Sequence, residues 1–181
     1  MFTPAHGIMH HNITMIFQRC VTAACMCYML GFGTATAAPI DDAEAAYDNG
    51  NYAQAINVWK QLAAQGNASA QYKLGAMYYV GHGVTQDYQE AIKWYRLAAT
   101  QGLADAQTGL GLMYYFGEGV TQDDQEALKW FRLAAAQGHT KAQFKLGVMY
   151  DNGQGIPQDY QAAVRWYRLA AEQGDTKAQY H

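Results

Sequence analysis

This sequence predicts an all-α solenoid of stacked antiparallel helix pairs, and three observations carry that reading. The first is a strict internal period: Thr85–Val120 aligns on Thr121–Ile156 without a gap, with 22 identities in 36 positions. The match runs on through Pro157–His181 and back, with more drift, through Asn49–Val84. A fixed period of roughly 20–50 residues marks architectures in which one supersecondary unit stacks on the next. The second is apolar spacing of helical type inside each half-unit, and the third is that no segment alternates as a half-buried strand would.

Taken from the N-terminus, residues 1–38 read as a secretory signal peptide. Arg19 precedes an apolar, uncharged run, Val21 to Ala38, that ends in Ala35-Thr36-Ala37 or Thr36-Ala37-Ala38 before Pro39, the order of basic, apolar and small residues that export requires. Gly31, Gly33 and the threonines make that run a poor spanning helix, so no stable membrane span is expected after cleavage, an uncleaved anchor being the competing reading. Met1–Thr14 carries three histidines, unlike an ordinary leader, and the true start is expected at Met15 or Met9. All three cysteines (Cys20, Cys25, Cys27) lie in this segment, and no acidic residue does. The rest of the chain has no cysteine and one serine, Ser69, with a net charge of −4. Its fold is therefore expected to rest on packing rather than disulfides, with periplasmic or, alternatively, secreted localisation. The mild acidity speaks against a nucleic-acid partner, whose phosphates call for a basic footprint.

Residues 39–48 read as a short N-terminal cap helix, and the repeats follow as 49–84, 85–120, 121–156 and a partial unit 157–181. In Asp87–Gln101 the positions Tyr88, Ala91, Ile92, Tyr95, Ala98 and Ala99 share one helical face, which Trp94 and Leu97 widen. Asp87, Asp123 and Asp159 stand where an N-cap acceptor serves, and Gly102, Gly138 and Gly174 where a left-handed residue ends a helix. The second helix is expected from about Ala104 to Tyr115. Its internal glycines Gly75, Gly111 and Gly147 each cost roughly 1 kcal/mol against alanine, which points to compensation by close helix–helix approach. Gly-x-Gly pairs beginning at Gly81, Gly117 and Gly153 supply the turns.

The segments Ala91-Ile-Lys-Trp-Tyr-Arg-Leu-Ala-Ala, Ala106-Gln, Leu110-Gly-Leu-Met-Tyr and Gly117-Glu-Gly-Val, with their counterparts one period away, resemble the Sel1-like repeat, a relative of the tetratricopeptide repeat. The resemblance covers about Asp41 to His181. It implies a curved superhelix used mainly for protein–protein interaction and adaptor roles. The first unit departs from the pattern, with Val58 and Gln61 in place of the usual Trp and Leu and Trp59 at the Tyr95 position.

Catalytic chemistry is poorly supplied. Without a cysteine after the leader, and with Ser69 alone, nucleophile arrangements with histidine are excluded. His82, His139 and His181 lack the i, i+4 pairing of a zinc site, and no cofactor or metal is expected. Two features bear on binding. Lys60, Arg96, Arg132 and Arg168, accompanied by Lys93, Lys129 and Arg165, recur one period apart and project away from the apolar face. Stacking would align them into a stripe suited to an acidic peptide or anionic glycan, or they form a solvated face balanced by Glu90 and Glu126. Specific recognition is also expected where units differ: the inter-helix loops Asn67–Ser69, Leu103–Asp105 and His139–Lys141, and the second-helix ends. There Tyr79, Tyr115 and Phe116, if exposed, would act as aromatic anchors. The expected function is an exported, non-catalytic interaction module binding a protein or peptide on the concave face of the superhelix. The alternatives are an enzyme or glycan-binding protein acting on cell-wall material, with paired carboxylates, and self-association through the incomplete C-terminal helix.

Overall fold

The computed structural model describes residues 38–180; the leader expectation for residues 1–38 therefore lies outside the described residues, Ala38 apart. Among the described residues eight α-helices run in order: α1 Ala38–Asp48, α2 Tyr52–Ala64, α3 Ala68–Val80, α4 Tyr88–Thr100, α5 Ala104–Phe116, α6 Asp124–Ala136, α7 Thr140–Asn152 and α8 Tyr160–Glu172. A single 3-10 turn, Ala178–Tyr180, follows. No helix among the described residues is long and apolar enough to cross a membrane.

Local chemistry sets the helix ends. Asp87 accepts hydrogen bonds from the backbone N–H groups of Gln89 and Glu90, Asp123 from those of Gln125 and Glu126, and Asp159 from that of Ala162. Each satisfies donors that the first turn would otherwise leave orphaned. We expect Asp123→Ala to cost about 1 kcal/mol, read as a lower urea midpoint at unchanged slope; an unmoved midpoint would mean the cap is redundant. Gly102, Gly138 and Gly174 take φ of 94°, 84° and 91°, and the Gly-x-Gly turns are left-handed at both glycines. The unit period thus survives in the backbone angles as well as in the residues.

Packing between units dominates. Each second helix makes its most extensive contact with the first helix of the following unit, more than with its own partner. The internal glycines explain why. A Cβ on Gly75 would stand 2.5 Å from the Tyr95 ring, one on Gly111 2.7 Å from Phe131, and one on Gly147 2.5 Å from Tyr167. The aromatic of the next unit occupies the space each glycine leaves, which is the close approach the sequence predicts. Tyr95, Phe131 and Tyr167 are accordingly buried, while Trp94 and Trp166 are half-buried and Trp130 is buried.

Polar groups join the units too. Gln71, Gln107 and Gln143 are buried; their side-chain amides donate to the carbonyls of Ala63 (3.2 Å), Ala99 (3.1 Å) and Ala135 (3.5 Å) near the ends of the first helices. Gln101, Gln137 and Gln173 of the following units donate in turn to those glutamines at 2.7, 2.8 and 2.8 Å. The same carbonyls also accept the backbone N–H groups of Gly66, Gly102 and Gly138, so the glutamine amides take up their second lone pairs inside the stack.

One detail differs from the sequence expectation. Leu97 does not widen the buried face: it is 48% exposed, and its counterparts Leu133 and Leu169 are 45% and 42% exposed. The partner helix and the next unit close over the Ala91–Tyr95–Ala98 side, leaving the leucine row beyond their reach. At the C-terminal side, Tyr160 and Val164 are 63% and 48% exposed. Ile92 and Leu128, the counterparts of Val164, are buried at 5% and 4%.

Candidate functional site

All seven residues of the basic ladder, Lys60, Lys93, Arg96, Lys129, Arg132, Arg165 and Arg168, are exposed on first helices. Several are held locally. Lys93 pairs with Glu90, whose hydrogen bond raises the lysine pKa, and Lys129 pairs with Glu126 at 3.0 Å. Arg96 donates to the Tyr114 hydroxyl at 2.6 Å and Arg132 to that of Tyr150 at 3.1 Å. These phenols, one half-unit later in the chain, orient the guanidinium groups above the first helices. In the fourth unit Ala162 replaces the paired glutamate, so Arg165 has no such neighbour.

The aromatic anchors divide. Tyr79 and Tyr115 are half-buried, each tied to the following unit: the Tyr79 hydroxyl donates to Glu118 Oε2 at 2.9 Å and the Tyr115 hydroxyl to Gln154 Oε1 at 2.9 Å. Burial first, and then Glu118, push the Tyr79 phenol up to about 12, so it remains a protonated donor. Phe116 is 56% exposed and meets Tyr115 edge to face at 4.9 Å. The ammonium of Lys145 lies 5.1 Å from the Tyr115 ring centroid and 5.2 Å from that of Phe116.

A groove of about 730 Å³ opens on the second helices, between α3, α5 and the start of α7. Tyr72, Tyr79 and Tyr95 line one side, Thr108, Gly109 and Leu112 the floor, and Asp105 with the segment Gly138–Lys141 the other. Of the ten residues singled out from the sequence for binding, only Tyr79 lines it. The variable loops do better, since Asp105, His139 and Lys141 all come from them. His139 ties the rim together, with Nε2 3.1 Å from Asp105 Oδ1 and Nδ1 3.0 Å from Thr108 Oγ1. It also caps α7 in the role Asn67 plays for α3, whereas Leu103, at the same place before α5, has no side-chain acceptor.

Sequence reasoning missed why the groove exists. In α3 and α7 the residues at the Thr108 and Gly109 positions are Tyr72-Lys73 and Phe144-Lys145. The small pair in α5 leaves space beside the Tyr95 ring, against which an added Cβ at Gly109 would rest at 3.4 Å, an ordinary contact. The legible signal was a local loss of bulk in an otherwise strict repeat. His82 serves a different end: its ring stacks on Tyr52 at 5.0 Å and its Nδ1 is 3.2 Å from the Tyr47 hydroxyl, joining the first turn to α1. Among the described residues no group of three or more metal-ligating side chains converges.

With this geometry in place, the chain can be set beside known proteins. The model of the Sel1 repeat family matches residues 68–103, 104–139 and 140–175. That frame begins at each second helix, half a unit away from the one drawn above, and keeps its 36-residue period. A Sel1 repeat protein from Oxalobacter formigenes is 40% identical over 77% of this chain and 56% of its own, with a TM-score of 0.73. The c5321 protein of uropathogenic Escherichia coli, described as a protective antigen with an SLR fold, is 46% identical over 69% of this chain, with a TM-score of 0.68. The chain spans only 27% of that relative's length. Helicobacter pylori cysteine rich protein B, at 18% identity and a TM-score of 0.54, shares the fold over 82% of this chain and 98% of its own. No curated protein matches the chain. The period, the interlocked glycine–aromatic packing and the three matched units together place this chain in the Sel1 repeat family.

Proposed function

We propose that this chain is an exported, non-catalytic interaction module that binds a protein or peptide along the concave face of its superhelix, as an adaptor or scaffold in the cell envelope. Sel1 repeats form a fold that generally scaffolds protein interactions, and the uncovered row Leu97, Leu133 and Leu169 beside Arg96, Arg132 and Arg168 is the observation that carries the reading. Single exposed leucines are ordinary; the same leucine next to the same guanidinium in three successive units makes a continuous apolar and basic strip. An amphipathic segment with acidic residues complements it, because Arg–carboxylate pairs fix register while the leucines supply burial. Tyr114 and Tyr150 hold two of the guanidinium groups in place before binding, which lowers the ordering cost. Lys60, Lys93, Lys129, Arg165 and Phe116 flank the strip in this proposal. The apolar leader that ends at Ala38, and the description of the E. coli relative as a protective antigen, support placing the module in the periplasm or outside the cell.

The test is cross-linked capture from envelope extract by the full chain and by a variant carrying Arg96→Glu, Arg132→Glu and Arg168→Glu. Capture of one defined protein by the parent, reduced at least tenfold in the variant, is the expected result. Equal capture by both moves the site off the first helices, and no capture by a correctly folded parent overturns the interaction reading.

A further inference from the structure

The repeat supplies its own template for what the groove between α3, α5 and α7 accepts. The lysine that precedes the recurrent Leu-Gly of a second helix reaches back toward the preceding element. In α7, Lys145 places its ammonium 5.1 Å from the centroid of Tyr115, near the end of α5. In α3, Lys73 lies 6.0 Å from the Trp59 ring and pairs with Glu44 of α1 at 3.1 Å. In α5 that lysine is Gly109. Tyr79, the counterpart of Tyr115, is thus left without the cation that the fold provides one unit later, and the groove opens where the ammonium and its stem would lie.

We infer that this groove takes a lysine or arginine side chain from a partner polypeptide, seated where the repeat's own lysine is missing. The inference rests on the protein-binding reading above and names a second contact for it. The aromatic wall is suited to a cation, since ammonium and guanidinium groups within about 6 Å of a ring centroid are attracted to its face. Tyr72 and Tyr95 add two further rings, tilted 31° to each other at 5.6 Å. Charge agrees as well. Asp105 supplies a carboxylate at the rim beside one ammonium, Lys141, and Glu118, outside the lining, accepts the Tyr79 hydroxyl's hydrogen bond. His139 holds Asp105 Oδ1 from one side, and a partner's cation would approach Asp105 from the groove. About 730 Å³ admits an extended side chain with its neighbouring backbone.

Position 109 gives a clean test because a side chain there meets the Tyr95 ring only at 3.4 Å, and Lys73 and Lys145 already occupy its equivalents. Gly109→Lys is therefore expected to fold and to fill the groove with its own ammonium, while Gly109→Ala folds and leaves it open. Two-dimensional NMR of the full chain would be recorded with acetyl-Gly-Gly-Lys-Gly-Gly-amide, and with the same peptide carrying glutamate or norleucine. The lysine peptide should shift the amides of Gly109, Leu112 and His139 saturably in the parent and in Gly109→Ala. It should bind at least tenfold more weakly to Gly109→Lys, and about tenfold more weakly to Asp105→Asn, the size of one charge-assisted contact. Binding of the norleucine or glutamate peptide as tight as that of lysine overturns the inference, as does an unchanged response in Gly109→Lys or the absence of saturable shifts. The two readings fail separately: a captured envelope partner that Gly109→Lys retains in full sinks the groove and spares the interaction module.

Discussion

Phe131→Ala is expected to cost about 3–5 kcal/mol of stability, the usual range for emptying a fully buried aromatic site. Phe131 has no solvent exposure and packs on Gly111 of α5 and, at 6.4 Å between centroids, on the Tyr115 ring. It sits at the largest kind of contact in the stack, between the second helix of one unit and the first helix of the next. In a solenoid each unit touches only its neighbours, so no distant element closes the cavity. The ring's absence would uncouple the units on its two sides. Guanidinium denaturation followed by far-UV circular dichroism reads the loss. A broadened or split transition is the expected form, since weakened coupling lets the halves melt separately. A loss below about 1 kcal/mol with a single sharp transition would mean that the ring is not what couples them.

Gly111→Ala and Gly109→Ala make a paired prediction in which one substitution, two residues apart in one helix, takes opposite signs. Both gain about 1 kcal/mol of intrinsic helix propensity. At 109 the new Cβ rests on Tyr95 at 3.4 Å and nothing has to move, so a net stabilisation of up to about 1 kcal/mol is expected. At 111 it would lie 2.7 Å from the Phe131 ring, which is itself fully enclosed. Pushing α5 and α6 apart to relieve that overlap costs about 1–3 kcal/mol and loosens the unit contact. Melting temperatures of the two variants, measured side by side, should bracket that of the parent. Shifts of the same sign would sink the packing account of the recurrent glycines.

The candidate site was legible only in part. Variable loops pointed to Asp105, His139 and Lys141, because a loop residue that the stacking geometry does not require is free to differ between units. Tyr79 was legible as an aromatic at a second-helix end, although its hydroxyl is spent on Glu118 rather than left for a partner. Thr108 and Gly109 were not seen, since attention to added chemistry passes over a position where bulk is removed. The buried glutamines escaped for a similar reason. Gln71, Gln107 and Gln143 recur beside alanines and read as part of a motif. Only the packed chain shows that their amides meet helix-terminal carbonyls of their own unit and the glutamines of the next.

What the amino-acid order determined by itself is everything that depends on neighbours a few residues away or on the period. The helices, their aspartate caps, the left-handed glycines at their ends and the 36-residue unit all belong to this class. They follow from local hydrogen bonding, backbone sterics and the spacing of apolar residues, which act within one unit and repeat with it. The tertiary structure alone decided which apolar positions meet another helix and which stay in water. Ile92 and Leu97 both fall within the apolar arc read from the sequence, yet Leu97 is 48% exposed and Ile92 5%. The difference arises from which side of the first helix its neighbours cover: the adjoining second helices pack over the Ile92 side and leave Leu97 in water. The groove is of the same kind: it forms because residues 30 apart in the chain, Tyr79 and Gly109, are brought together by that stacking with no side chain between them.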